Sequence, residues 1–341
     1  MINTVYRLVA PRRFEIAFED IDLFGDNAIV RPTNFSICNA DMRYYLGTRD
    51  AKVLAEKLPM ALIHEGVGVV MRDPSGKFAP GDRVVMVPNC PTETDEYIGE
   101  NYLRSSKFCG SSMDGFLQEY VEISPRRLVK LPQDINMNVA AFTEIVSVAV
   151  HAISRFDKIA HARRDAIGVW GDGNLAYIVS LFLKKTFPDS KVYVFGLNDD
   201  KLADFTFADG AYKTTEVPEG FTMDHAFECV GGNGSPIAIE QIIGLIKPEA
   251  TLSILGVSEY PVPINTRMIL EKGLRVFGSS RSGVADFEKT VQMYQQYPEI
   301  IDYLGNLISS VNVVRTTTDI KQAFEKDTQK AFGKTIMVWQ E

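Results

Sequence analysis

The chain is predicted to be an α/β protein of two domains, a doubly wound parallel sheet joined to a mostly β domain. Three observations predict it. Its 341 residues exceed the roughly 100 to 200 that one domain usually takes. From Asp165 onward, strand-like apolar runs alternate with helical stretches, the rhythm of βαβ units. Before about residue 140 the apolar runs are short and separated by turn signals, as in a β-rich domain.

In the first part, strands are expected over 14–18, 28–31, 66–71, 83–87 and 117–123. The second part then reads as strand AIGVW, helix LAYIVSLFLKKTF, strand KVYVFG, a run ending in AFECVG, helix IAIEQIIGLI, and strands ATLSILG and LRVFGSS. The tail, residues 286–303 followed by VNVVR, DIKQAFEK and KTIMVWQE, resumes mixed content and is expected to fold back onto the first domain. The boundaries follow: residues 1–142 with 281–341 form one domain, and residues 143–280 the other.

Composition narrows the function class. A chain that is 45% hydrophobic and 23% charged is ordinary for a soluble globular protein. With 44 acidic against 36 basic residues, net −8, it has no general attraction to a phosphate backbone, so nucleic acid is not an expected partner. The N-terminus lacks the apolar run of about 7 to 15 residues of a secretory signal. The most apolar later stretches, 139–153 and 175–183, fall short of the about 20 residues of a membrane span. A cytoplasmic protein without a membrane partner is expected. Cys38, Cys90, Cys109 and Cys229 are too widely spaced to form a disulfide framework.

The segment AIGVWGDGNLAYIVSLFLKK sets Gly171, Gly173 and Ala176 in a GxGxxA spacing between an expected strand and an expected helix. The first glycine permits a tight turn, the second lets backbone approach a pyrophosphate, and the small third residue lets the helix pack on the sheet. Asn174 and Leu175 open that helix, whose unpaired N–H groups favour phosphate. Cys229 and Gly256, in AFECVG and ATLSILG, are assigned to the same cofactor site. Asp172 is an awkward neighbour for a pyrophosphate, and its side chain is expected to point away.

An NAD site places an acidic residue about 20 residues beyond the glycines to bind the ribose 2′-OH. Gly196 falls there instead, and Asn198 and Lys201 are placed to bind a 2′-phosphate. NADP(H) is therefore the expected cofactor. A shift of register would instead give the ribose to Asp199 or Asp200.

Potential metal ligands occupy three segments: Cys38 in NFSICNADMRYY, His64 and Glu65 in LIHEGVGVV, and Glu144 in FTEIVSVAVHA. Singly, each is equally a buried thiol, a core histidine or an exposed helix carboxylate. Together with Asp41 three residues after Cys38, the Gly-x-Gly after His64-Glu65, the GDRV turn at 81–84 and the GDGNLA loop, their order and spacing resemble the medium-chain zinc-dependent alcohol and polyol dehydrogenases along nearly the whole chain. The resemblance implies a Rossmann cofactor domain beside a GroES-like catalytic domain, and a homodimer. It implies that Cys38 and His64 bind a catalytic zinc, with Glu65 and Glu144 as direct or exchanging ligands, and that Asp41 orients His64. Glu144 in place of a cysteine is similar to the sorbitol dehydrogenase branch, where Tyr44 matches a substrate-pocket tyrosine.

Two departures qualify this. Much of the family carries a Ser or Thr two residues after the cysteine as a proton relay, and this chain has Ala40. Many relatives hold a structural zinc with four cysteines after GDRV, where this chain has only Cys90 and Cys109; two thiols do not make that site. One zinc per subunit, and no structural zinc, is expected.

Within the family, CNADMRYY, TEIVSVAVHA, the missing cysteines and the non-acidic VFGLN resemble bacterial ribulose-5-phosphate reductases. That implies zinc-dependent, NADPH-linked reduction of D-ribulose 5-phosphate to D-ribitol 5-phosphate for teichoic acid or capsule synthesis. A ribitol-5-phosphate cytidylyltransferase is then a possible pathway partner. A sugar phosphate needs localised cations; Arg43 and Arg281 are the candidates, ahead of Arg104 and Lys107, with a solvated surface charge the alternative for each. Two further readings stand beside this one. The first is an NAD(P)-linked polyol dehydrogenase acting on sorbitol or xylitol. The second is a catalytically silent NADP(H)-binding scaffold, against which the retained ligand set argues.

Overall fold

The computed structural model describes residues 1–340. It divides into two compact units, one of residues 1–147 with 282–341, the other of residues 148–281.

The first unit is built on antiparallel pairing. Its main sheet runs in the order Leu128–Lys130, Arg83–Met86, Glu65–Arg72, Ala28–Ser36, Lys334–Trp339, Ile308–Val314, with Val121–Ile123 also pairing onto Ala28–Ser36. A smaller sheet joins Arg13–Asp20, Ile2–Ala10 and Met60–Ala61. Val5, Leu8, Phe35, Tyr45, Phe116 and Phe324 are among the buried side chains between these layers. The tail belongs to this unit: Ile336 lies opposite Ser36 and Val338 opposite Asn34 in an antiparallel ladder. A chain that left the unit at helix Thr143–Ile159 thus returns to complete its sheet.

Two local elements differ from the pattern read in the sequence. Only Val121–Ile123 of the segment 117–123 is a strand, because the preceding residues cross between the sheets. There the Leu117 carbonyl accepts from the Tyr6 N–H while the Leu117 N–H donates to the Leu62 carbonyl. The N-terminal strand Ile2–Ala10 is also longer than the apolar signal in that segment suggests. It is carried by a ladder to Arg13–Asp20 whose outer face is exposed.

The second unit is a six-stranded, wholly parallel sheet in the order Gly210–Lys213, Lys191–Gly196, Ala166–Trp170, Met223–Glu228, Ile246–Ile254, Arg275–Gly278. Numbered along the chain this is 3-2-1-4-5-6, the doubly wound order of a Rossmann fold. Its first and fourth strands diverge in connection, so the crevice outside their carboxyl ends is where such sheets bind ligands. The central strands read as continuous apolar runs because both faces are covered. Trp170 stacks on Phe195 with ring centroids 4.2 Å apart, and Phe227 packs on Phe156.

A buried polar cluster closes the amino edge of this sheet. His225, fully buried, has Nε2 3.0 Å from the Arg163 carbonyl, while its Nδ1 accepts from the Thr251 N–H at 3.2 Å. Both ring nitrogens are thereby matched to the neutral Nε2–H tautomer; a second proton would face the Thr251 N–H. Burial first, and the neighbouring His161 second, push its pKa down to about 4. Because the folded value lies below the unfolded value near 6.5, the contribution of His225 is complete above pH 6.5. It is lost as pH falls towards 4, up to about 3 kcal/mol. The melting temperature should therefore drop between pH 6.5 and 4, and His225→Gln should flatten that slope whatever it does to stability at pH 8. An unchanged slope would exclude His225 as its origin.

Candidate active site

The metal-ligand candidates are drawn together in the first unit by one short helix and one strained turn. Cys38 is the N-cap of helix Asn39–Tyr45. Asp41, in the first turn of that helix and fully buried, accepts the Cys38 N–H at 3.0 Å through Oδ2. Its Oδ1 accepts the Ile63 N–H at 3.0 Å and lies 3.7 Å from His64 Nδ1. At 3.7 Å the His64 contact is electrostatic rather than a hydrogen bond. One carboxylate therefore ties the cysteine segment to the histidine segment.

The turn before His64 holds Ile63 at φ +73, a left-handed conformation that costs a β-branched residue on the order of 1–3 kcal/mol. It is held from both sides: the Ile63 N–H donates to Asp41 and the Ile63 carbonyl accepts from Phe116 at 2.7 Å. Gly115 makes the approach possible, since a Cβ there would stand 2.3 Å from the Ile63 oxygen.

As a result the ligand atoms of Cys38, His64 and Glu65 all lie within 4.8 Å of one another. A thiol, an imidazole and a carboxylate converging in a buried site form a donor set that fits zinc. Glu144, at the start of helix Thr143–Ile159, is not part of that grouping. It is buried nearby: burial pushes its carboxyl up to about 7, with His64 opposing and Glu65 adding to the rise. Burial pulls the His64 imidazolium down, but Asp41 and then Cys38 outweigh it and hold its pKa well above the ordinary value. Tyr44 is buried two turns along the helix from Cys38, and Ala40 puts no hydroxyl near the site.

The residue that sequence reasoning missed is Lys334. It opens the last strand, is only 2% exposed, and places Nζ 2.9 Å from Glu65 Oε1 and 2.8 Å from Oε2; the Ile37 carbonyl also accepts from it at 3.1 Å. Burial pulls the ammonium down, yet Glu65 and then Cys38 raise its pKa above the ordinary value. The only signal in the sequence was a lysine heading the apolar run KTIMVW. A buried carboxylate is thus compensated from a strand 269 residues away.

In the second unit a cavity of about 970 Å³ is lined by Gly171, Asp172, Gly173, Gly196 and Cys229, with Leu197, Thr214 and Ile237 among its other walls. Gly171 has φ +129, and a Cβ on it would meet the Cys229 carbonyl at 3.2 Å, so the turn requires glycine. Gly173, which lines the cavity, is the N-cap of helix Asn174–Thr186, and the first N–H groups of a helix have no partner within it. Asn174 and Leu175 form its first turn. Gly256 does not line the cavity; it lets the chain pass Glu228, whose Oε2 accepts the Gly256 N–H at 3.1 Å.

Asp172 turns towards the end of strand Lys191–Gly196. Its Oδ2 accepts the N–H groups of Leu197 and Asn198 and the Asn198 side-chain amide, each within 2.9 Å. Lys201 Nζ lies 4.0 Å from its Oδ1. Burial works against the charge, but these donors hold the carboxyl below its ordinary pKa. Gly196 is glycine because Asp172 fills its side-chain space, 2.7 Å from where a Cβ would stand. The rival carboxylate, Asp199, pairs with Lys213. Arg43 lies on helix Asn39–Tyr45, and Arg281 ends the second unit at φ +58. Cys90 lies opposite Lys107 in the ladder of Asn89–Cys90 with Lys107–Phe108, and the Cys90 and Cys109 thiols are in side-chain contact.

A doubly wound sheet with a glycine-turn cavity, combined in one chain with a β unit holding a Cys-His-Glu cluster, defines a medium-chain dehydrogenase. The "Alcohol dehydrogenase GroES-like domain" family matches residues 25–133. A ribulose-5-phosphate reductase of Bacillus spizizenii is 55% identical over 100% of both chains. Ribulose-5-phosphate reductase 1 of Staphylococcus aureus is 52% identical over 99% of both. The crystal structure of S. aureus TarJ in complex with NADPH superposes with a TM-score of 0.91, at 47% identity and over 100% of both chains. The chain belongs to the ribulose-5-phosphate reductase branch of the medium-chain dehydrogenase family.

Removing the Lys334 ammonium leaves Glu65 as an uncompensated buried charge, a loss of about 3–5 kcal/mol. Lys334→Met should lower the denaturant midpoint accordingly, and Lys334→Met combined with Glu65→Gln should recover much of it. A double variant no more stable than the single one would show that the pair is not the source of the loss.

Proposed function

We propose that the protein reduces the C2 ketone of D-ribulose 5-phosphate to D-ribitol 5-phosphate with NADPH, supplying ribitol phosphate for teichoic acid or capsule synthesis. The observation that carries this is the converging Cys38, His64 and Glu65 set in a chain aligned end to end with ribulose-5-phosphate reductases. A ketone, NADPH and a proton give the alcohol and NADP⁺.

Zinc, when bound, supplies a Lewis acid that polarises the ketone. Cys38, His64 and Glu65 hold it, Asp41 fixes the His64 segment, and Lys334 offsets the charge of Glu65. Glu144, not drawn into the set, acts as an exchanging ligand or as the carboxyl that passes on the proton. A group with its pKa near 7 is suited to give up and regain a proton at neutral pH. This takes over the task that the missing hydroxyl at Ala40 performs elsewhere in the family; Tyr44 and water are the other routes.

The cavity around Gly171 and Gly173 takes the cofactor, with the pyrophosphate at the start of helix Asn174–Thr186. The NADPH preference rests on the absence of a side chain at Gly196, on the engagement of Asp199 by Lys213 and on the presence of Asn198 and Lys201 at the strand end, and is supported by the NADPH complex of the 47% identical relative. Helices long and apolar enough to cross a membrane are absent among the described residues. A cytoplasmic homodimer with one zinc per subunit, working beside a ribitol-5-phosphate cytidylyltransferase, completes the proposal.

Initial rates with D-ribulose 5-phosphate, D-ribulose, D-fructose and D-xylulose, each with NADPH and NADH, test the reading. The phosphorylated ketose with NADPH should give the highest kcat/KM; a preference for a free ketose and NADH would replace the proposal with a sorbitol- or xylitol-type activity. Cys38→Ser should abolish turnover and lower bound zinc, measured by mass spectrometry of the metal, while NADPH still binds the second unit. Loss of NADPH binding together with zinc would point to misfolding.

A further inference from the structure

We infer that Arg49, seated on the ring of Tyr44, is the residue that receives the phosphate of the substrate. The inference rests on the proposed sugar-phosphate chemistry and names the group that would recognise it.

Arg49 is half-buried, with its guanidinium carbon 4.2 Å from the centroid of the Tyr44 ring. Its Nε is buried and donates to no acceptor among the described residues. A buried N–H left without an acceptor costs more than a made hydrogen bond returns, so this donor is stabilised when an anion arrives. The flat guanidinium fork matches two phosphate oxygens at once. The aromatic face below fixes its plane without using its N–H groups.

The chain is built to hold Arg49 in place. Helix Asn39–Tyr45 ends at Leu46, and Gly47 at φ +70 reverses the path; a Cβ there would stand 2.7 Å from Pro11 Cγ, so only glycine fits. The Thr48 N–H then donates to the Arg43 carbonyl at 3.1 Å. Asp50 caps the next helix, Ala51–Lys57, by accepting the Lys52 N–H at 2.9 Å. Arg49 thus lies between two helix ends, its guanidinium over Tyr44 of the helix whose N-cap is Cys38. Tyr44 stands six residues from Cys38, about 9 Å along a helix axis. In a 2-ketopentose 5-phosphate, the carbonyl carbon and the phosphorus are separated by five bonds, roughly 6 Å when extended. The two spans are of the same order, and the assignment has the ketone held at the Cys38 end of the helix and the phosphate at Arg49.

The test uses the zinc-loaded full chain as wild type, Arg49→Met and Arg49→Lys. Two quantities are read: the ratio of kcat/KM for D-ribulose 5-phosphate to that for D-ribulose, and inhibition of D-ribulose reduction by inorganic phosphate. In Arg49→Met the ratio should fall at least about tenfold, as expected for loss of a charge-assisted contact, and inhibition by phosphate should weaken in parallel. Arg49→Lys should recover part of both. An unchanged ratio, or equal losses on both substrates, would overturn the assignment and leave Arg49 a structural role. If wild type itself shows no preference for the phosphorylated ketose, the proposed function fails first and the Arg49 assignment falls with it, an outcome visible before any variant is measured.

Discussion

The Asp41 carboxylate is the contact on which the geometry of the first unit's site depends. It joins the N–H of Cys38 to the N–H of Ile63 and faces His64 across 3.7 Å. Without it, a helix N-cap and a strained turn have no common anchor, Asp41 and Ile63 being 22 residues apart. The cost of an Ile in the left-handed region is met by several bonds at once, which is how strain persists at sites where position matters more than local stability. A metal binding there would find its ligands already gathered, with little to reorganise.

Three buried acidic groups are unfavourable unless each is compensated. Asp41 is compensated by backbone N–H groups, Glu65 by Lys334, and Glu144 by holding its proton near neutral pH. The C-terminal strand is therefore more than the last strand of a sheet. Its register against Ala28–Ser36 puts Ile336 opposite Ser36, which in turn pairs with Glu65, and Lys334, two residues earlier on the same strand, reaches the Glu65 carboxylate with Nζ.

The second unit works by subtraction. Glycines stand where side chains would block a backbone or a carboxylate: Gly171 against the Cys229 carbonyl, Gly196 against Asp172, Gly256 against Glu228. Asp172, placed in the middle of the glycine turn, spends its charge on Leu197, Asn198 and Lys201. The turn and the end of the second strand are thereby fastened together.

Local pattern alone determined much of this protein. The alternation of strands and helices after Asp165 specified the parallel sheet and the GxGxxA spacing located the turn at its switch point, whereas Cys38, His64 and Glu65 were marked as a set only by the family resemblance. The sheet and the turn are legible because periodicity and turn chemistry are short-range properties. Tertiary structure alone decided the rest: that Asp172 faces the neighbouring strand, that Glu144 stays outside the close grouping, that Lys334 reaches Glu65, and that Arg49 lies over Tyr44. Each depends on groups that meet only when distant segments pack, and on burial, which turns an ordinary charge into one that must find a partner.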